Sequence, residues 1–119
     1  MGNVLDLEYY NRDVLCTRIF VDYTTGKVSV TNYTDDIMEQ ALGKRKSSID
    51  SVLEFLGERV FEESRLDKGE ILESMGLSVF DPEDIARVTH GIMFHDSNWL
   101  RFDGEDLSWE DIKAIKASI

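Results

Sequence analysis

The sequence predicts a single α+β domain over residues 1–119, in which an N-terminal antiparallel β-hairpin or small sheet packs with several short helices. Residues 14–32 alternate between apolar and polar side chains around a glycine-containing turn, which is the pattern of a hairpin. After residue 34, apolar residues recur at three- and four-residue intervals between capping residues, which is typical of helices. A length of 119 residues and a hydrophobic content of 42% suit one domain with its own core.

The first third of the chain is predicted to be β-structure. Val14–Asp22 is rich in β-branched and aromatic residues, and Val28–Asn32 alternates in the same way. Gly26 lies between these two segments and can adopt the positive φ that tight turns require. Leu5–Tyr10 is predicted to add a strand before the hairpin, and Asn98–Phe102 has strand-like alternation near the other end of the chain.

The middle of the chain has two helical segments in succession. The first is a short helix over Asp35–Leu42, with Thr34 as its N-cap. The second and stronger pattern begins at Ser47 or Ser48, and Asp50, three residues after Ser47, completes a variant of the capping box. The buried stripe of this second helix is predicted to consist of Ile49, Val52, Leu53, Leu56 and Val60.

Three further helices are predicted in the C-terminal half. One covers Lys68–Met75 and stops at Gly76. Another begins at Asp81, which can act as a cap, and Pro82 suits the first helical position. The last begins at Ser108. The apolar faces of the last two helices are predicted to include Ile85, Val88, Ile112 and Ile115.

The chain is strongly acidic, with 24 Asp and Glu against 13 Lys and Arg and a formal charge of −11. Residues 60–119 contain 14 acidic and 6 basic residues, so this half alone carries −8. Such a charge repels nucleic acid and anionic membranes, and it favours either a basic protein partner or simple solubility. Direct nucleic-acid binding is therefore not expected, since it depends on Lys and Arg at the phosphates.

Cys16 is the single cysteine and lies in a strand-like apolar segment, where a buried and inert thiol is expected. One thiol forms no internal disulfide, which favours a reducing compartment. The N-terminus lacks a signal-peptide pattern, and no apolar run reaches the length of a membrane span. The protein is expected to be soluble and cytoplasmic.

Two patterns are candidates for a metal-binding site. His90, His95 and Asp96 include residue types that bind zinc, but a helix break at Gly91 and the five-residue separation of the histidines disfavour a common site. Residues 103–106, Asp-Gly-Glu-Asp, lack the spacing of a calcium loop. No motif of an activated nucleophile is present. The sequence thus predicts a protein that is not an enzyme and holds no cofactor or metal.

The acidic C-terminal half is the predicted partner-binding surface. Spaced carboxylates on one surface would resemble a phosphate backbone to a basic groove. Trp109 is a candidate apolar anchor, because Trp is enriched at interface hot spots, whereas Trp99 is expected to pack in the core. The predicted contact residues are Glu62, Glu63, Asp67, Glu70, Glu73, Asp103, Glu105, Asp106 and Trp109.

Three segments carry a resemblance to a known group of proteins: Tyr10–Val14, Asp81–Gly91 and Trp99–Phe102. They resemble small proteins that phages and conjugative elements encode in the accessory genomes of Firmicutes. The resemblance extends over about half of the chain, and its motifs are structural, so that it transfers no catalytic residue. It implies a bacterial host cell and a mobile-element setting, where small acidic proteins often inhibit host defence, as anti-CRISPR proteins do.

The leading hypothesis from these observations is a non-enzymatic, phage- or mobile-element-encoded inhibitor. It would act as a DNA mimic that occupies the basic nucleic-acid channel of a defence nuclease, such as a CRISPR effector of the Cas9 type. The alternative is a regulatory, antitoxin-like module that binds its protein partner through apolar contacts. Salt distinguishes the two, because screening weakens an electrostatic interface far more than an apolar one. A third possibility is a small metal-dependent enzyme that uses His90 and His95, which elemental analysis for zinc would reveal.

Overall fold

The computed structural model describes residues 3–93 and 95–117 and has the predicted α+β architecture. Its centre is a four-stranded antiparallel sheet in the order β3-β2-β1-β4. The last strand therefore pairs with the first one along the chain. The strands are β1 (Val4–Asn11), β2 (Val14–Asp22), β3 (Lys27–Asn32) and β4 (Asn98–Phe102).

Both turns between the first three strands contain a residue with positive φ. Arg12 has a φ of 54° between β1 and β2, and Gly26 has a φ of 75° between β2 and β3. Arg12 also connects distant parts of the chain, because its N–H donates to Ser97 O at 2.9 Å and its carbonyl accepts from the indole of Trp99 at 2.8 Å. The predicted hairpin and the predicted strand before it are confirmed.

The two faces of the sheet differ in polarity because side chains alternate along each strand. One face carries the main core, in which Leu7 lies opposite both Ile19 and Phe102. On the other face, Glu8 lies opposite both Arg18 and Arg101. The sheet thus buries one face under the helices and presents charged residues on the other.

Four helices and one 3₁₀ turn follow β3 or flank β4. The 3₁₀ turn is Ile37–Glu39, and the helices are α1 (Ile49–Glu58), α2 (Lys68–Ser74), α3 (Pro82–Thr89) and α4 (Trp109–Ala117). Asp81 caps α3 as predicted, since its carboxylate accepts from the N–H groups of Glu83 and Asp84. At the start of α4, the N–H and hydroxyl of Ser108 both donate to the Asp111 carboxylate.

The predicted helix over Asp35–Leu42 is wrong, because only the 3₁₀ turn forms there. Asp36, rather than Thr34, caps this turn by accepting from Met38 N at 3.0 Å. The helix does not continue because Ala41 N donates to the hydroxyl of Thr17 on β2, at 3.1 Å, instead of to a helical carbonyl. A hydrogen bond to β2 therefore takes the place of a helical hydrogen bond in the segment 35–42.

The buried stripe of α1 is rotated from the predicted one. Leu53 is 40% exposed, whereas Phe55 is buried and makes an edge-to-face contact with Tyr9, with ring centroids 5.1 Å apart. The cap is Ser48, and its hydroxyl accepts from Ser51 N, so that Asp50 does not complete a capping box. Val88 of α3 also differs from the prediction, since it is 45% exposed.

Candidate interaction surfaces

The two histidines of the candidate zinc site face different carboxylates. His90 Nδ1 lies 3.5 Å from Glu105, and His95 Nε2 lies 3.5 Å from Asp96. Asp96 also receives two hydrogen bonds from the guanidinium of Arg59. Across residues 3–93 and 95–117, no group of three His, Cys, Asp or Glu side chains is arranged to hold a metal ion.

Arg59 is buried and links the end of α1 to the segment before β4. Its guanidinium donates to Gly91 O at 2.8 and 3.0 Å, to Asn98 O at 2.9 Å, and to both carboxylate oxygens of Asp96 at 2.8 and 3.1 Å. The same guanidinium lies 5.7 Å from the ring centroid of Tyr9. Because a buried charge is tolerated only when it is paired, this network holds Gly91, Asp96 and Asn98 against the end of α1.

The pKa of Asp96 shows that the charged pair is favoured. Burial acts to raise this pKa, but the hydrogen bonds and positive charge of Arg59 and the N–H of Asn98 outweigh burial and hold it below its ordinary value. Gly91, whose carbonyl belongs to this network, has a φ of +63°, which favours glycine. An added Cβ would lie 2.9 Å from the Leu100 side chain. This segment is thus built for close packing, and we assign it a structural role.

A polar cleft of about 520 Å³ lies on the charged face of the sheet, beside the turn after β4. Asp6 pairs with Arg18 at 3.0 Å, and Glu8 pairs with Arg101 at 2.8 Å, within this cleft. The three predicted contact residues of the turn line it as well, and these are Asp103, Glu105 and Asp106. The register of β1 against β4 places this turn beside Asp6, whose carbonyl accepts from Asp103 N.

A second polar cleft, of about 460 Å³, continues from the first and shares Asp6 and Asp103 with it. Its other charged residues belong to α3, where Glu83 pairs with Arg87 at 3.1 Å and also accepts from the Tyr23 hydroxyl at 2.8 Å. We call the two clefts together the acidic clefts. They contain seven carboxylates, Asp6, Glu8, Glu83, Asp84, Asp103, Glu105 and Asp106, against three guanidiniums, Arg18, Arg87 and Arg101.

The carboxylates of the acidic clefts differ in how freely they face solvent. Glu105 turns inward, since it accepts from Phe102 N at 2.7 Å and faces His90. Asp84, Asp103 and Asp106 are exposed, and within the described part of the chain no basic group lies at ion-pair distance from them. These three are therefore the carboxylates that a basic partner could reach without first displacing an arginine.

The other predicted acidic group lies outside both clefts. Glu62 and Glu63 follow α1, Asp67 precedes α2, and Glu70 and Glu73 lie on α2; all five are exposed. Hydrogen bonds from Arg65 hold the pKa of Asp67 below its ordinary value. The structure thus divides the predicted contact residues between two places, and neither acidic cleft contains a member of this second group.

The two tryptophans have different environments. Trp99 is 1% exposed and stacks on Tyr10, with ring centroids 4.8 Å apart. Trp99 and Leu100 point to different faces of the sheet. Its expected burial is confirmed, although it lies outside the main core cluster. Trp109 is half-buried at the first position of α4. Its role as an anchor stays a prediction.

An apolar groove of about 610 Å³ is a feature that the sequence reasoning missed. Its walls come from the residues that directly follow α1, from α2 and its C-cap Met75, from the end of α3 with the following residues, and from α4. Val88, an exposed apolar residue of α3, belongs to it. The apolar lining residues are Val60, Phe61, Ile71, Met75, Val88, Ile92, Met93 and Ile115. A signal was present in the sequence, because Ile71 and Met75 share one face of a short helix whose other large apolar residue is Leu72.

The fold thus presents two surfaces of opposite character, the acidic clefts and the apolar groove. Comparison of the chain with protein-family models, with curated protein sequences and with solved structures gives no match.

Proposed function

We propose that this chain is a non-enzymatic inhibitor that binds the basic nucleic-acid channel of a bacterial defence nuclease. The observation that carries the proposal is the composition of the acidic clefts, where seven carboxylates face three guanidiniums across two adjoining concave surfaces. A CRISPR effector is the expected target, in keeping with the resemblance to mobile-element proteins. The partner would be a protein, and no nucleic acid would contact the chain.

Three carboxylates are suited to take the place of phosphates. Asp84, Asp103 and Asp106 are exposed and have no basic neighbour at ion-pair distance among the residues described, so that their charge is available to a partner. Lys and Arg side chains in a nucleic-acid channel are placed to neutralise a spaced row of negative charges. An acidic surface would reach such a channel by electrostatic steering, and its binding would weaken as salt is added.

The positions of these carboxylates are fixed by the backbone rather than by long flexible side chains. Asp84 lies in the first turn of α3, which the cap at Asp81 anchors. Asp103 and Asp106 flank Gly104, which has a φ of +84° and turns the chain immediately after β4. Short Asp side chains on a fixed backbone lose little conformational entropy on binding, which supports a preorganised surface.

The test is an affinity capture from bacterial lysate at low salt, followed by elution with salt and, separately, with duplex DNA. The purified partner is then titrated with a triple variant of the acidic clefts, Asp84→Lys, Asp103→Lys and Asp106→Lys. A matched control reverses three exposed carboxylates elsewhere, Asp13, Asp35 and Asp50, and each triple reversal adds six charges to the net −11. A fourth protein reverses Glu62, Glu63, Glu70 and Glu73, which tests the other acidic group.

We expect salt and DNA each to release the partner, and the cleft variant to bind at least tenfold more weakly than the control variant at low salt. If the cleft and control variants bind the partner equally weakly, the loss of binding comes from net charge alone and not from the acidic clefts. A partner that resists both salt and DNA would overturn the proposal and favour the regulatory module with apolar contacts.

A further inference from the structure

We propose that the apolar groove is a second, independent docking site, and that it receives a basic amphipathic helix of a protein partner. The proposal does not depend on the acidic clefts, which lie on other residues, so that either proposal can fail alone. It follows from three properties of the groove: its apolar lining, its partial exposure and the charge of the residues beside it.

The groove has the size and lining of a binding site. Its volume of about 610 Å³ lies within the range of about 300–1,000 Å³ that is usual for ligand pockets. Phe61 and Met75 line it and also pack against the main core, so that its floor is part of the folded structure. An apolar groove between helices is the kind of site that receives the apolar stripe of another helix.

The groove lining remains partly open to solvent in the described structure. Val88 is 45% exposed, and Ile71, Ile92 and Met93 are only half-buried. Contiguous exposed apolar surface of this kind marks an interaction site more often than scattered single residues do. Covering it would remove apolar area from water, which is the main source of affinity in helix-in-groove complexes.

The residues beside the groove specify a basic occupant. Glu62 and Glu63 directly follow the lining residue Phe61. On α2, successive residues are rotated by about 100°, which places Glu70 about 100° from the lining residue Ile71 and about 160° from the buried Leu72. By the same rotation, Lys68 lies about 60° from Ile71, on the side of Leu72.

The basic groups of the same groove are already engaged. Arg65 is paired with Asp67 at 2.9 Å, and Arg59 is paired with Asp96. His95 lies 3.5 Å from Asp96. Beside the groove, Glu62, Glu63 and Glu70 have no basic group at ion-pair distance within the described residues, and Lys68 has no acidic one. Three acidic residues against one basic residue leave a negative balance, which is complementary to Lys or Arg residues that flank the apolar stripe of a helix.

The experiment uses a fluorescein-labelled 18-residue peptide with Leu at helical i, i+3, i+4 and i+7 positions and Lys at the others. Two further probes keep the Leu positions but replace Lys with Glu, or keep the composition but scramble the order. Val88→Ser tests the lining, and Leu53→Ser is its matched control, because Leu53 is similarly exposed, at 40%, but lies on α1 outside the groove. Glu70→Lys tests the charge, and Glu73→Lys, on the far side of α2, is the control.

Fluorescence anisotropy should give micromolar binding of the Leu/Lys peptide and at least tenfold weaker binding of the other two peptides. Val88→Ser should weaken binding by about fivefold, and Glu70→Lys by roughly threefold at low salt, whereas both control variants should bind as the unchanged protein does. Methyl NMR spectra of the unchanged protein should show peptide-induced shifts at Ile71 and Met75 and none at Ile19 in the sheet.

Several results would overturn the proposal. Absence of binding at millimolar peptide would show that the groove accepts no such helix. Equal binding of the Leu/Glu peptide would contradict the charge argument. Sedimentation that shows self-association of the protein alone, lost in Val88→Ser, would identify a second copy of the chain as the occupant. The variants of the acidic clefts should bind the peptide normally, which separates this test from that of the proposed function.

Discussion

Replacement of Arg59 by Met is expected to cause a large loss of stability, because it removes the hydrogen bonds of a buried charge while it keeps most of the side-chain volume. In the structure, the guanidinium satisfies the carbonyls of Gly91 and Asn98 and pairs with Asp96 through two hydrogen bonds. Met has neither a hydrogen-bond donor nor a positive charge in its side chain, so it can replace none of these interactions. Two buried carbonyl groups and one partly buried carboxylate would lose their partner.

The magnitude follows from the partners that are left behind. Removal of one member of a buried ion pair costs about 3–5 kcal/mol, most of which comes from the uncompensated groups that remain. Asp96 is still partly solvated, with its side chain 24% exposed, which favours the lower half of this range. At about 4 °C for each kcal/mol in a domain of this size, the melting temperature should fall by about 12–16 °C.

The assay is equilibrium unfolding in urea, followed by the fluorescence of the buried Trp99. Arg18→Met is the matched control, since it breaks the Arg18–Asp6 pair on the exposed face of the sheet, where screening by water leaves little net energy. A loss of stability in Arg59→Met no larger than in Arg18→Met would refute the view that this network holds Gly91, Asp96 and Asn98 in place. If the slope of the unfolding free energy against urea concentration is the same in the variants and the unchanged protein, the proteins unfold to the same state.

Two more predictions concern Gly91 and Tyr9. Gly91→Ala should cost about 2 kcal/mol or more, because the backbone is left-handed and the new Cβ would overlap Leu100. Gly76→Ala, at a similar φ but in open space, should cost about 1 kcal/mol in the same urea-unfolding assay. Burial, against the opposing charge of Arg59, raises the pKa of Tyr9 to about 12. The unfolded chain, with the ordinary Tyr pKa of about 10, therefore loses this proton first, so that stability should fall between pH 10 and 12 and should fall less steeply in Tyr9→Phe; parallel curves for the two proteins would contradict the assignment.

The strands could be predicted because their signals are local. Alternating side chains in residues 14–32 and the turn at Gly26 specify the hairpin without reference to the rest of the chain. The start of α3 was equally clear, since Asp81 and Pro82 together determine a helix terminus. By contrast, the predicted helix over residues 35–42 does not form, because Ala41 N donates to the hydroxyl of Thr17 on β2. The sequence of the segment alone does not reveal this contact with another element.

The candidate surfaces were less predictable because each is assembled from distant segments. The acidic clefts arise from the pairing of β1 with β4, which brings Asp6 beside Asp103. The apolar groove takes its walls from four helical regions, so that no single periodicity indicates it. Arg59 has the appearance of a surface residue in the sequence, and only the carbonyls of Gly91 and Asn98 reveal why it is buried.

The pairing of the last strand with the first has a consequence for the order in which the chain can fold. A ribosome delivers β1, β2 and β3 together as a local meander, but the free edge of β1 stays unpaired until Asn98–Phe102 has been synthesised. The bond from the Trp99 indole to Arg12 O closes a separation of 87 residues, and closure of such a loop costs about 4 kcal/mol in chain entropy. The finished sheet must therefore await the synthesis of β4. A message truncated before Asn98 would yield a chain with an open, partly apolar edge at Leu7 and Tyr9, which is a site for aggregation.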